Sequence, residues 1–322
     1  MSGLLAALLT TAVVIPHADA VGLAMVGVGD KGNLADNTTG YGAVNYNYQI
    51  SKYEVTINQY TEFLNAVAAT DTYNLYNDFM GSDDNIKGIT QSGSSGSYSY
   101  SVIGDSGDRP ITYVSWFDAA RFANWLANGC PTGDQVAGIT ETGTYALNGA
   151  TSGIIVAGGG GWRLPTEDEW YKAAYYDPSK GELDDGDNYW DYAMTLDNLV
   201  DNSTSANYND GDYATTQSAT YDSNQNYLTD VGFYTGQDSY YGTYDQSGNV
   251  FEWTDGIDGG SRVTRGGSWD DLAGDLLSSN SISQDPTFES STLGFRLAVP
   301  EPSSVGLLVI GAMAFALRRK RA

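Results

Sequence analysis

Trp162-Arg163-Leu164-Pro165-Thr166-Glu167-Asp168-Glu169-Trp170 turns a strand into a helix within nine residues. Thr166 and Glu169 form a capping box, in which a hydroxyl at the N-cap and a carboxylate at the third helical position satisfy each other's backbone donors. The three acids lie in the first turn, where the helix dipole favours negative charge. Trp170, Ala173 and Ala174 fall on one side, and Pro178 closes the segment. The same signature occurs twice upstream. Thr56-Ile57-Asn58-Gln59 opens a helix with Tyr60, Phe63, Leu64 and Val67 at three-to-four spacing, after a strand-like run from Tyr48 to Val55. Ser115 with Asp118 opens another through Ala119, Phe122, Ala123 and Leu126, stopping at Gly129 just before Cys130. Between these helices lie glycine-rich stretches such as Gln91 to Tyr98, and long loops rich in Asp, Asn and Tyr from Asp177 to Tyr244. Aromatic residues in such loops predict one domain with much irregular backbone rather than linkers between domains.

The composition bounds the chemistry. At 41% hydrophobic and 12% aromatic, the 322-residue chain is too apolar to be wholly disordered, despite its 39 glycines. Its formal charge is −25, and four of its 15 basic residues occupy 318–321, so the body is more acidic still. Such a surface repels phosphates, which argues against a nucleic-acid partner and makes cations the favoured small partners. Simple solubility of an exported protein is the alternative reading of the acidic excess. The single cysteine, Cys130, excludes an intramolecular disulfide, and the single histidine is His17.

Both ends read as addresses. Residues 1–20 combine an apolar run, Leu4 to Ile15, with Ala18-Asp19-Ala20, which predicts a signal peptide cleaved by signal peptidase, although no Lys or Arg precedes the run. A buried N-terminal strand or helix is the alternative. If His17 leaves with that peptide, the mature chain loses the usual general base and zinc ligand. In the tail, 299–322, Pro300-Glu301-Pro302 precedes an apolar run, Val305 to Leu317, and then Arg318, Arg319, Lys320 and Arg321. As a helix the run would cover about 20 Å of a hydrocarbon core about 30 Å thick, a short transmembrane helix with its basic end in the cytoplasm. The trio resembles the PEP-CTERM sorting signal of Gram-negative bacteria, which implies recognition by an exosortase, a membrane cysteine transpeptidase. A plain tail anchor is the alternative. The expectation is an exported protein of the cell envelope or exterior, transiently anchored by its C-terminal helix.

Six motifs follow one another within residues 45–298, the core of a domain expected over 21–298. They are Tyr53-Glu54-Val55-Thr56, Val114-Ser115-Trp116-Phe117-Asp118-Ala119, Trp162 to Trp170, Gly248-Asn249-Val250-Phe251-Glu252-Trp253, Arg265-Gly266-Gly267-Ser268-Trp269 and Gly294-Phe295-Arg296. In that order they resemble the formylglycine-generating enzyme family, the sulfatase-modifying factor domain. The resemblance implies a single compact α+β domain related to C-type lectins, with much irregular structure.

The family's oxidases hold copper(I) with two cysteines, at the second and seventh positions beyond the aromatic that closes the Arg-Gly-Gly-Ser motif. Here those positions are Asp271 and Leu276. A hard carboxylate and an alkyl group cannot hold a soft ion, so no copper and no cysteine-dependent oxidase activity are expected. The resemblance also implies calcium sites. One would use the carboxylates of Asp245 and Glu252 and the carbonyls of Gly248 and Val250; a second would begin at Asn207-Tyr208 and take Asp222 or Asn224. The expected function is a non-catalytic, calcium-stabilised binding or structural domain for a glycan, a peptide or an extracellular matrix polymer. Tyr189, Tyr192, Tyr208 and Tyr240 are candidates for contact, and plain packing is the alternative role, favoured for any one of them. An enzyme on this fold with other catalytic residues, such as a paired-carboxylate glycosidase, is the alternative.

Overall fold

All three capping boxes form. In the computed structural model, which describes residues 21–158, 160–182, 188–199 and 201–301, Thr56, Ser115 and Thr166 each cap a helix with reciprocal bonds to Gln59, Asp118 and Glu169. The helices are α1 (Ile57–Val67), α3 (Trp116–Ala127) and α4 (Glu167–Tyr175), with a short α2 (Phe79–Ser82) between the first two. The apolar faces of α1 and α3 meet through aromatic rings. Phe63 lies 5.3 Å from Phe122 and 5.2 Å from Trp125 between centroids, and Phe122 in turn reaches Phe295 at 5.5 Å. Such pairs add edge and stacking preferences to the burial itself.

Strands are short and divide among three sheets. β1 (Met25–Val28), β2 (Tyr48–Ser51) and β9 (Ala298–Pro300) form an antiparallel sheet with β2 in the middle, so the two ends of the domain close on each other. β1 begins before the expected 45–298 core and within 21–298. β3 (Ile89–Ser92) and β4 (Ser99–Val102) make a hairpin. β5 (Phe251–Asp258), β6 (Ser261–Arg265), β7 (Ile282–Gln284) and β8 (Leu293–Phe295) form a sheet of order β7-β6-β5-β8, in which only β5 and β8 run parallel. This is an α+β domain, as expected. The strand expected from Tyr48 to Val55 ends at Ser51; beyond it Val55 bonds singly to the carbonyl of Phe295 and receives Ile111.

The predicted signal peptide, 1–20, lies outside the described residues, as do Pro302, the apolar run from Val305, and Arg318, Arg319 and Arg321. Pro300 is described, as the last residue of β9 opposite Tyr48, with Glu301 directly after it. Among the described residues no helix is long and apolar enough to cross a membrane.

Candidate functional site

The sequence motifs meet as ion pairs. Arg163 donates to both oxygens of Glu169, at 2.8 and 2.6 Å, and Arg265 donates twice to Oε1 of Glu167, at 2.9 and 2.6 Å. Arg296 donates from Nε and Nη2 to the two oxygens of Glu252, both at 2.6 Å. The register explains the last pair: Glu252 on β5 lies opposite Gly294 on β8, and Arg296 follows two residues later on the same face. The indole of Trp170 also donates to Glu252, at 2.8 Å, so the third, fourth and sixth motifs share one buried junction.

The loop 245–250 enters β5 through left-handed backbone at Asp245 (φ 60°), Gly248 (φ 94°) and Asn249 (φ 61°). Asp and Asn tolerate this region better than other side chains. At Gly248 only glycine fits, because a Cβ would stand 2.5 Å from the carbonyl oxygen of Asn207. Gly232 N donates to Asp245 at 2.6 Å. As a residue Asp245 is partly exposed, but its carboxyl faces inward, and burial pushes it up to about 6. Asp245 and Glu252 in turn press on Glu54, whose carboxyl is driven well above the usual range, by burial first. Both Glu54 oxygens are buried, and the side chain that meets them is the Asp245 carboxyl. Among the described residues no hydrogen bond reaches the carbonyl oxygen of Gly248 or of Val250.

This set fits calcium in its chemistry: hard carboxylate and carbonyl oxygens with an excess of negative charge. Within it, Glu252 is committed to Arg296 and Trp170, and Asp245 accepts from Gly232 N. Among the described residues no group of three or more His, Cys, Asp and Glu side chains is arranged to hold a metal ion. The second expected set is dispersed. Asn207 binds the same loop, with its amide donating to Asn249 Oδ1 at 3.0 Å and its carbonyl receiving Asn249 N at 2.8 Å. Tyr208 is packed against Tyr192, Met194 and Leu276. Asp222 is exposed and accepts from Asn224 in its own turn.

Beside β5 and β7 a cleft of about 330 Å³ is lined by Phe251, Asp270, Asp271, Gln284, Phe288 and Ser291, among others. Ser268 donates its hydroxyl to Asp271, and burial raises the carboxyls of Asp270 and Asp271.

Residues 25–300 match the family described as the sulfatase-modifying factor enzyme 1-like domain. The chain belongs to this family. Residues 298–321 match the PEP-CTERM protein-sorting motif, which marks an exported cell-envelope protein processed by an exosortase. Among solved structures, CarF is 24% identical over 88% of this chain and 100% of its own, with a TM-score of 0.52. Treponema denticola variable protein 1 is 22% identical over 86% of this chain and 94% of its own, with a TM-score of 0.50. At these identities the likeness shows the fold alone. No curated protein sequence matches the chain.

In this sulfatase-modifying-factor-like domain, the two positions where thiols would be expected part company. Asp271 lines the cleft, while Leu276 is fully buried and packs so closely on Gly267 that a Cβ there would stand 2.4 Å from it. Of the four tyrosines proposed for contact, Tyr189, Tyr192 and Tyr208 are packed inside the domain, and Tyr240 is exposed. The rings of those three fill space between loops that contain few aliphatic residues, the packing role, and Tyr240 alone of the four stays open to contact. Glu54 stands in the first motif with no role legible from its position, and only the fold shows that it is buried.

Proposed function

We propose that this exported domain binds or supports other envelope components without catalysing oxidation, and that calcium bound at the 245–252 loop stabilises it. The observation that carries the reading is the pair Asp271 and Leu276. One is a carboxylate tied to Ser268 and the other is a packed core residue, so the region offers no soft ligand pair for copper(I). Asp245, with the carbonyls of Gly248 and Val250, would supply hard oxygen ligands. The cleft at Asp270 and Asp271, with Phe288 at its wall and Gln284 and Ser291 as hydrogen-bonding groups, suits a glycan, peptide or matrix polymer presenting hydroxyl or amino groups. After export, the C-terminal helix would hold the chain at the membrane until an exosortase acts.

Incubating the purified chain with a cysteine-bearing sulfatase peptide, copper and oxygen should yield no aldehyde; aldehyde formation would overturn the reading. Calcium should raise the melting temperature and a chelator should lower it. At a calcium concentration about a hundredfold above Kd the gain is about 2.7 kcal/mol. The raised carboxyls of Asp270 and Asp271 favour, as a second reading, an enzyme acting through carboxylates. Glycan hydrolysis that Asp271→Asn abolishes would establish it.

A further inference from the structure

Three large aromatic rings stand open to solvent: Phe79 is 54% exposed, Tyr221 51% and Phe288 41%. A single exposed ring needs no explanation, but two of these are braced from behind. The Phe79 ring stacks on Tyr113 at 5.2 Å and 24°, and the Tyr221 ring stacks on Tyr227 at 5.8 Å and 14°. Tyr227 lies in turn 4.9 Å from Trp269, at 4°. With one face of each outer ring covered by a near-parallel neighbour, the exposure belongs to the other face.

One turn holds these rings together. Tyr113 donates its hydroxyl to Asp83 at 2.8 Å, and Tyr221 donates to Asn85. Two residues of chain reach at most about 7 Å, so the two anchors are neighbours. Phe79 opens α2, and Asp83 caps its end. Phe288 is tied to the same region, because Tyr113 N donates to the carbonyl of Ser290 at 2.9 Å and Asn77 donates its amide to Glu289. Tyr113 itself is held at φ 55°, a left-handed conformation that a bulky residue enters only under strain. Such strain gathers where a fold holds a side chain for a ligand.

The charges beside the rings decide which ligand. Asp83 accepts from Tyr113 and from Asn85 N, Asp84 pairs with Lys87, Asp222 accepts from Asn224, and Asp270 accepts from Tyr213. A lysine or arginine side chain gains most from an uncommitted carboxylate, and each of these is engaged. The formal charge of −25 repels anionic polymers. The fitting ligand is neutral, with an apolar face for the rings and hydroxyls for the rim. A pyranose with equatorial hydroxyls has both, since its axial C–H bonds form a flat face that suits an aromatic ring.

Resting on the binding reading above, we propose that Phe79 and Tyr221, with Phe288 at the wall of the cleft, form a stacking platform for a neutral polysaccharide of equatorially substituted sugars, such as a β-1,4-glucan. A basic peptide is the competing occupant.

The full chain is run in native gels containing hydroxyethylcellulose or alginate, and is titrated with a fluorescent oligolysine peptide. Hydroxyethylcellulose should retard it, undiminished in about 1 M salt, where the Debye length is about 3 Å, and alginate should not. Phe79→Leu and Tyr221→Leu keep apolar bulk without a ring, so each should weaken the glucan association about three- to tenfold. Phe79→Tyr and Tyr221→Phe keep the ring and should retain it. Both positions are more than half exposed, so the melting temperature should hold while binding is lost; where one leucine variant does not fold, the other carries the test. Unchanged retardation in the folded leucine variants overturns the platform. If Asp271→Asn abolishes retardation in the same gels, the binding reading then stands on the cleft alone. No retardation of the unsubstituted protein by the glucan overturns the glycan assignment, and oligolysine binding that the leucine variants lose puts a basic peptide on these rings instead.

Discussion

Two groups of buried acids, one at the start of α4 and one around Glu54, meet opposite circumstances. Glu167 and Glu169 each have their own arginine, and Glu169 also completes the Thr166 capping box. Glu54, Asp245 and Glu252 have one arginine between them. The first group is electrically complete and needs nothing beyond the chain. The second is complete only with a proton or a cation. Matching charge to charge is therefore what distinguishes acids that stay ionised in this fold from acids that burial drives towards their protonated form.

The largest effect should come from removing the scarce cation. Arg163→Ala and Arg296→Ala each break a buried pair, a loss of about 3–5 kcal/mol where one charge is left alone. R296A strands three carboxylates, so in chelator its urea midpoint should fall below that of R163A, and calcium should recover part of the difference. Equal midpoints for the two variants would remove the contrast.

A smaller effect should appear on acidification. Burial raises the carboxyls of Asp118 to about 7 and of Asp245 and Asp255 to about 6. Each group's unfolded form releases its proton near pH 4, whereas the folded form keeps it until about 6 or 7. Across that window the native state holds more protons, so stability falls as pH rises, by at most about 1.4 kcal/mol per pH unit for each group. In chelator the melting temperature should rise as pH drops from 7 to 5. Asp118→Asn should flatten part of that slope, since Asp118 faces Glu289, Ser115 and Arg121. A melting temperature that drops over the same range would show these carboxyls to be unshifted.

The smallest effect tests the caps. Thr56→Ala removes a local box and should cost about 1 kcal/mol. Thr166→Ala should cost more, because it also loosens Glu169, the partner of Arg163. Equal costs, measured by urea unfolding, would mean that the α4 cap and its ion pair act independently.

The three helices were legible because a capping box is local: its donors and acceptors lie within four residues and need no other part of the chain. The order of motifs was legible too, and with it the family. The contacts between motifs were not. Arg265 and Glu167 are 98 positions apart and Arg296 and Glu252 are 44 apart, and many other acids could have met those arginines. Tyrosines in polar loops suit either contact or packing, and Tyr189, Tyr192 and Tyr208 are packed because loops this long must supply their own core.

The sequence alone determined where helices start, that Asp271 and Leu276 stand where soft metal ligands would be needed, and that the chain carries an export address. These are properties of residue type at a position. Only the tertiary structure decided that Arg296 pairs with Glu252 and not with Glu54, and that Asp271 opens on a cleft while Leu276 closes a core. Burial and the sharing of one guanidinium depend on which distant segments pack together, and a buried charge acquires its energetic meaning only from the neighbours it is folded against.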